Sequence, residues 1–329
     1  MKADHTENFN VPDNQSRIPD SHSATSKNSF TAPDSTEAYA KLNLSLDILR
    51  RRPDGFHDLY MVMQTVSLAD RVSVAEQRDI TAQSGKFTLR TDRDFIPPGQ
   101  TTLEERAVQA FFSAIGQPAP SLCVTLEKKI PAYAGMGGGS SDVAALLRLL
   151  RKRYAPKLSD DTLERVGLTV GSDVPFCIRG GTALAQGRGE RLTDLPSLPD
   201  CWFVLCKPDF GISTPMLFAR ADESFLQFRP DVDAMVNALR RGSLPDVAQL
   251  LGNVFETVLP EEYSAQIQEI KRRMKKFGAW NAAMSGSGPT VFGIFPDSAQ
   301  AMAAVEHLRR DYRETFTARP VKRYGSPRL

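Results

Sequence analysis

The chain is short of the side chains from which metal centres and disulfide frameworks are built. Only four histidines occur in 329 residues, and two of them, His5 and His22, lie in a polar leading segment. The four cysteines (Cys123, Cys177, Cys201, Cys206) contain no Cys-x-x-Cys pair, and three sit among apolar neighbours. That pattern points to reduced, buried thiols in a cytoplasmic protein with no metal site. An excess of one charge is missing too. Lysine plus arginine number 41 against 39 acids, a net +2. No basic field therefore exists to attract nucleic acid, and no polybasic patch to hold a membrane surface. No apolar run approaches the ~20 residues needed to cross a bilayer. The expected partners are small molecules, and the expected state is a monomer or a weak homodimer.

What the chain does have is an ordinary globular composition, 41% hydrophobic and 24% charged, at a length that favours two domains. Residues 1–37 are rich in Ser, Thr, Asn, Asp and Pro, lack periodicity and read as a disordered polar tail. The tail lacks the apolar core of a secretory signal, and its six acids (Asp4, Glu7, Asp13, Asp20, Asp34, Glu37) argue against a transit peptide. From Ala38 the pattern changes. "AYAKLNLSLDIL" alternates as a strand, with Leu42, Leu44, Leu46 and Ile48 on one face and Lys41, Asn43, Ser45 and Asp47 on the other. "RRRPDGFHDL" reads as a solvated turn around Pro-Asp-Gly, and strand material resumes at "YMVMQTVSLADRVSVAE". "TLEERAVQAFFSAIG" predicts a helix closed by Gly116.

Further on, the pattern predicts a helix, a turn from Gly171 to Pro175 and then two strands. A strand at "CWFVLCK" opens the second half. Amphipathic helices follow at "PDVDAMVNALRRG" and "SAQIQEIKRRMKKFG". A small-residue loop, Ser285-Gly286-Ser287-Gly288-Pro289, leads into a strand, a helix from about Ser298 to Tyr312 and a last short strand. Strands and helices mix without regular βαβ alternation, which favours an α+β architecture.

The most informative stretch is "PAYAGMGGGSSDVAALLRLL". It follows the β-favouring run Leu122 to Leu126, and after it Val143, Ala144, Leu146, Leu147 and Leu150 recur at helical spacing. Strand, glycine-rich loop and helix start make a phosphate site, where free backbone N–H groups and the helix dipole meet an anion. A plain strand-to-helix connection with a serine cap needs fewer glycines than Gly135, Gly137, Gly138 and Gly139. No Gly-Lys-Ser/Thr follows at P-loop spacing, the protein-kinase motifs are absent, and Ser140 stands where a dinucleotide fingerprint needs glycine.

The loop resembles that of the GHMP kinases, a family of small-molecule kinases with the signature Pro-x-x-x-Gly-Leu-Gly-Ser/Gly-Ser-Ser. Pro131, Gly135, Gly137, Gly139, Ser140 and Ser141 match it, and Met136 replaces the usual leucine. Ser285 to Pro289 is similar to the family's third motif. "AKLNLSLDILRRRPDGFHDL", "GSDVPFCIRGGTALAQGRGERL" and "NVFE" resemble the branch that phosphorylates a cytidine diphosphate conjugate of an erythritol in isoprenoid precursor synthesis. Phe56 departs from the usual tyrosine there, and Thr102-Leu103 from the usual Asn-Leu. The resemblance implies a two-lobed GHMP fold of the α+β class, with a ribosomal-protein-S5-like ATP-binding lobe at 38–195 and a ferredoxin-like lobe at 196–329.

It also implies roles. ATP, as Mg·ATP, is to be held by Pro131 and the loop Ala134, Gly135, Met136, Gly137, Gly138, Gly139, Ser140 and Ser141. Either serine can supply a hydroxyl to phosphate or Mg2+. Asp173, in "VGSDVPF", is the expected proton acceptor, and Lys41 the cation beside it; a helix cap or turn is the bland alternative for Asp173. For the acceptor, Asn43 is to orient hydroxyls, Phe56 and Phe218 to stack on the base, His57 to hydrogen-bond it and Thr214 to line the pocket. Homoserine kinases and mevalonate-pathway kinases share the loop but not "RPDGFH" or "GSDVPF". A ligand sensor of the same fold is expected to have lost Lys41, Asp173 or a glycine motif, and all are present.

Overall fold

The protein, seen in a computed structural model, is described over residues 29–78, 85–93 and 100–324. Residues 1–28 of the expected tail lie outside that range, but residues 29–37 belong to the fold. Strand β1 (Ser29–Phe30) pairs with Gln77 and Arg78, and β2 (Asp34–Arg51) begins before Ala38, its Asp34 to Glu37 facing Val74 to Arg71. Polar side chains hide that segment from a hydropathy reading. Its backbone is recruited because the neighbouring strand has N–H and C=O groups to satisfy.

β3 (His57–Arg78) runs antiparallel to β2 and is long enough to take two partners along its other edge. The elements that follow are β4 (Phe87–Thr91), α1 (Leu103–Ala114), β5 (Leu122–Glu127), α2 (Gly138–Tyr154), α3 (Asp160–Val170), α4 (Val174–Arg179), β6 (Thr182–Gly187) and β7 (Arg191–Asp194). β5 pairs with Arg71 to Glu76 of β3, and β6 with Leu59 to Gln64. β4 extends the sheet beyond β5 and β7 beyond β6. The turn expected to lead straight from Gly171 to two strands holds α4 instead. Its six residues are too few to show a period, and Pro175 sits in the first turn, where its missing N–H removes no helix bond.

The second half contains β8 (Trp202–Lys207), α5 (Thr214–Glu223), α6 (Val232–Arg240), α7 (Leu244–Gln249), β9 (Gly252–Asn253), a 3-10 turn (Val254–Thr257), α8 (Glu261–Lys276), β10 (Asn281–Met284), β11 (Val291–Phe295), α9 (Ser298–Leu308) and β12 (Glu314–Ala318). A four-stranded antiparallel sheet runs β10-β11-β8-β12. The chain passes from the first sheet to the second between Asp194 and Trp202. It then crosses back twice. β9 pairs in parallel with Ser45 and Leu46, and after β12 the chain bridges Val66 through Pro320 and Gly180 through Arg323. Among the described residues no helix is long and apolar enough to cross a membrane.

One expectation about β2 fails in an instructive way. Leu42 and Leu44 pack in one core cluster, but Leu46 and Ile48 pack in another, on the opposite face. The pairing with β3 slips between Asn43 and Ser45, and an inserted residue inverts the alternation beyond it. Both faces of β2 are therefore covered, and Lys41, Asn43, Ser45 and Asp47 are all buried. A buried lysine and asparagine side by side need polar partners.

Candidate active site

The glycine loop enters α2 without a serine cap. Gly137 is the N-cap residue, in the left-handed region at φ 68°, and no side chain caps the helix. The serines lie inside the first turn. Ser141 is buried, with its hydroxyl donated to the Tyr39 carbonyl at 2.7 Å. Ser140 lines the cavities on both sides of the loop. Of the two serines left open by the sequence, Ser140 is the one whose hydroxyl is available. Met136 is buried as well, and its carbonyl accepts from the Lys41 N–H at 3.0 Å. The side chains of Met136 and Ser141 are thus used by the fold.

Two glycines are demanded by neighbouring protein. A Cβ on Gly135 would stand 2.1 Å from the Ser285 carbonyl oxygen, and one on Gly137 3.0 Å from Lys41 Cγ. Both positions also have φ near 69°, where glycine is at ease. The second small-residue loop is what presses on Gly135. Ser285 donates its hydroxyl to the Gly135 carbonyl (3.0 Å) and accepts from the Asn43 N–H (3.3 Å). Asn253 braces that loop by donating to the Met284 and Gly286 carbonyls, and Glu256 accepts from the Met284 N–H. The "NVFE" stretch is therefore scaffolding for the second loop.

Two cavities meet at this wall. One, of about 800 Å3, is lined by Pro131, Ala134, Gly138, Gly139, Lys128 and Asp142 among others. The other, of about 680 Å3, holds Lys41, Asn43, Phe56, His57, Asp173 and Phe218. Gly135, Gly137, Ser140, Thr214 and Ser287 face both. Thr214 and Ser287, both from the second half of the chain, are joined by a 2.7 Å hydroxyl contact. The head of α2 is part of the wall that both cavities share.

In the second cavity Lys41 Nζ lies 3.3 Å from Asp173 Oδ2 and donates to Asn43 Oδ1 at 2.8 Å. Asp173 precedes α4 in the N-cap position, yet its side chain makes no cap hydrogen bond. That removes the helix-cap reading. Val174 and Phe176 point into the core, and the Asp173 side chain is 31% exposed. A carboxylate beside a buried cation, open to a cavity and unused by the fold, is equipped to take a proton from a bound hydroxyl.

At the far end of this cavity the rings are already partnered. His57 stacks on Phe218 at 4.4 Å, with Nε2 2.8 Å from Asp222 Oδ1. The Arg188 guanidinium covers the Phe56 ring at 3.7 Å. Phe56 and Phe218 therefore each have one face occupied, by Arg188 and His57. Of the arginine run, Arg50 and Arg52 pair with Asp58 and Asp54 in the turn, while Arg51 lines the cavity 3.7 Å from Asp222. Arg188, Asp222 and Ser287 were not assigned roles in advance. Arg188 lies between two glycines in the "GRGERL" stretch and Ser287 in the small-residue loop 285–289, while Asp222 stands in no motif.

The first cavity hides buried charge. Lys128 is ion-paired with both Asp70 and Asp142. Asp70 also accepts from the N–H groups of Lys129 and Ile130. Burial opposes the lysine charge, but the two carboxylates outweigh it and hold the Lys128 pKa above its usual value. Burial pushes Asp142 and Glu104 up, with the Asp70 charge adding to the effect on Asp142. Oδ1 of Asp142 has no hydrogen-bond partner. Among the described residues no group of three or more His, Cys, Asp or Glu is placed to hold a metal ion. The four cysteines are free and buried.

Comparison with known proteins bears on the family and the fold. The model of the GHMP kinases N terminal domain matches residues 102–181, and that of the GHMP kinases C terminal matches 235–314. A 4-diphosphocytidyl-2-C-methyl-D-erythritol kinase from Geobacillus sp. (strain WCH70) is 40% identical over 285 residues, covering 86% of this chain and 95% of that protein. One from Clostridium kluyveri is 38% identical, covering 87% and 99%. A crystal structure of 4-(cytidine 5'-diphospho)-2C-methyl-D-erythritol kinase superposes with a TM-score of 0.70 at 33% identity, over 87% of this chain and 99% of that one. Homoserine kinase from Cytophaga hutchinsonii, at 15% identity and a TM-score of 0.65 over 88% and 95%, shares the fold.

Proposed function

The chain belongs to the 4-diphosphocytidyl-2-C-methyl-D-erythritol kinases of the GHMP superfamily, and we propose how its two cavities perform that reaction. It is an ATP-dependent small-molecule kinase acting on 4-diphosphocytidyl-2-C-methyl-D-erythritol in isoprenoid precursor synthesis. The observation that carries the finer reading is the shared wall: the head of α2 separates the cavities, and Lys41 and Asp173 stand on one side of it.

ATP occupies the cavity of Pro131, Ala134, Gly138 and Gly139. Its phosphates meet the backbone N–H groups at the head of α2, where the helix dipole favours negative charge. Mg2+ arrives as part of the substrate Mg·ATP. The free Ser140 hydroxyl suits a hard cation that keeps phosphate and water as its main ligands. The erythritol end of the acceptor lies beside Asp173, oriented by Asn43. The 2-hydroxyl oxygen attacks the γ-phosphorus in line, the bond from that phosphorus to the β-phosphate bridging oxygen breaks, and ADP leaves. The hydroxyl proton passes to Asp173. The Lys41 ammonium offsets negative charge gathering at the transfer point. His57, Phe56, Phe218 and Arg188 receive the cytidine end, and Thr214 closes the pocket from the second lobe. We place the reaction in the cytoplasm, where four free thiols stay reduced.

The test is ADP release from Mg·ATP with either 4-diphosphocytidyl-2-C-methyl-D-erythritol or homoserine as acceptor. Turnover with the cytidyl compound alone is expected. Turnover with homoserine, or with neither, overturns the assignment of the second cavity.

A further inference from the structure

Tyr133 holds a backbone conformation that its side chain does not want. Its φ is 51°, and it is the one non-glycine residue at positive φ among the described residues. A bulky L-residue is strained there and glycine is not. The side chain returns nothing to the fold. It is 81% exposed, and among the described residues its hydroxyl has no hydrogen bond and no other ring stacks on it. Strain retained for a side chain that the fold does not use points to a ligand.

The place identifies the ligand. Tyr133 lines the first cavity, in the loop between Pro131 and Gly135. Leu103, another large apolar side chain left 40% exposed, lines the same cavity. The phosphate end of that cavity is the glycine-rich head of α2, built of backbone. An exposed aromatic ring and an exposed leucine near it supply what backbone does not: a flat, apolar surface. We propose that Tyr133 stacks on the base of the bound nucleotide and sets much of the affinity for Mg·ATP. The proposal rests on the reading of this cavity as the nucleotide site. Recognition by a ring face engages the π-surface of the base and not its edge, so it distinguishes a nucleotide from bare polyphosphate.

The experiment is calorimetric titration of the full chain with Mg·ATP and, separately, with magnesium tripolyphosphate, which has the phosphates but no base. The proteins are wild type, Tyr133→Gly, Tyr133→Leu and Tyr133→Phe. Tyr133→Gly is expected to melt at a higher temperature than wild type because it relieves the strain, yet to bind Mg·ATP about tenfold more weakly. Tyr133→Leu, which keeps bulk but no ring, is expected to lose similar affinity, and Tyr133→Phe to match wild type. Affinity for tripolyphosphate stays unchanged in all four. In turnover the KM for ATP rises about tenfold in the glycine and leucine variants while kcat holds. Undiminished Mg·ATP binding by Tyr133→Gly overturns the proposal, as does an equal loss of tripolyphosphate binding, which would mean that the loop itself had changed. A wild type that binds no Mg·ATP overturns the nucleotide-site reading and this proposal together.

Discussion

The two cavities share a wall and are made in opposite ways. The cavity proposed for the nucleotide is largely one continuous stretch, Lys128 to Asp142, joined by Thr102 to Glu104 from the start of α1. Its shape comes from backbone, from glycines whose missing Cβ atoms let Ser285 and Lys41 approach, and from charges buried against each other. The acceptor cavity draws single side chains from Lys41 to Ser287, held by an ion pair, an aromatic stack and a cation over a ring. A backbone-built site is intolerant of added atoms and indifferent to many side chains. A side-chain-built site can be retuned one residue at a time without disturbing the fold. The difference predicts where substitutions act on rate, on stability or on one substrate alone.

The largest expected effect is on the acceptor side. Asp173→Asn keeps the shape and removes the proposed proton acceptor, so kcat should fall at least about a hundredfold. Because the carboxylate makes no cap bond and is partly exposed, the melting temperature and the KM for ATP should hardly move. A stopped assay with thermal melts checks both. A loss confined to the KM for ATP would erase the division between the cavities.

Next is the shared wall. Gly135→Ala places a methyl group 2.1 Å from the Ser285 carbonyl oxygen at a φ of 69°. The backbone has to move, and a destabilisation of about 2–3 kcal/mol is expected in denaturant titration. Since the wall serves both cavities, the KM values for ATP and for the acceptor should rise together. A rise in only one would show that the loop yields locally.

The same contrast governs what could be read from the sequence. The glycine-rich wall of the proposed nucleotide cavity was legible because strand, glycines and helix start are consecutive, an order that suits an anion. Lys41 and Asp173, separated by more than a hundred residues, became a pair only through family resemblance. Asp222 carried no signal, because its place comes from a contact to His57, 165 residues away, and Ser287 was legible only as part of its small-residue loop, not as the partner of Thr214. The bulge in β2 was likewise invisible. "KLNLSLDI" alternates perfectly, and only the pairing with β3 shows where the alternation inverts. α4 escaped because a six-residue helix opened by glycine and proline looks like a turn. Ser140 and Ser141, indistinguishable in sequence, are separated by the Tyr39 carbonyl that takes one of them.

A smaller effect sharpens the acceptor side further. Arg188 caps the Phe56 ring and lies 3.3 Å from the Ser172 hydroxyl. Arg188→Ala should raise the KM for the cytidyl substrate about fivefold to tenfold, from a cation–π contact of about 1 kcal/mol. kcat and the KM for ATP should stay as they are. Arg188→Lys keeps the charge but not the planar group, and should recover only part of the loss. Full recovery by lysine would reassign the role to charge alone.

The smallest effect belongs to the buried charges of the nucleotide cavity, and it is read as a pH slope. Burial raises the Asp142 carboxyl above its usual 3.8, to about 8, aided by the Asp70 charge and opposed by Lys128. Between those two values the folded protein keeps a proton that the unfolded chain has released, so stability falls as pH rises through the window. Glu104, raised by burial beside it, acts with the same sign. The melting temperature should therefore drift down by a few degrees from pH 5 to pH 8 in moderate salt. Asp142→Asn cannot release that proton and leaves Lys128 its bond to Asp70, so the drift should shrink. Asp173→Asn, made in the half-exposed acceptor cavity, should leave it alone. If both substitutions flatten the slope equally, the proton is shared across the wall and the cavities are electrostatically one site. If only Asp142→Asn does, the glycine loop insulates the buried charges that shape the nucleotide cavity from the pair that transfers the proton.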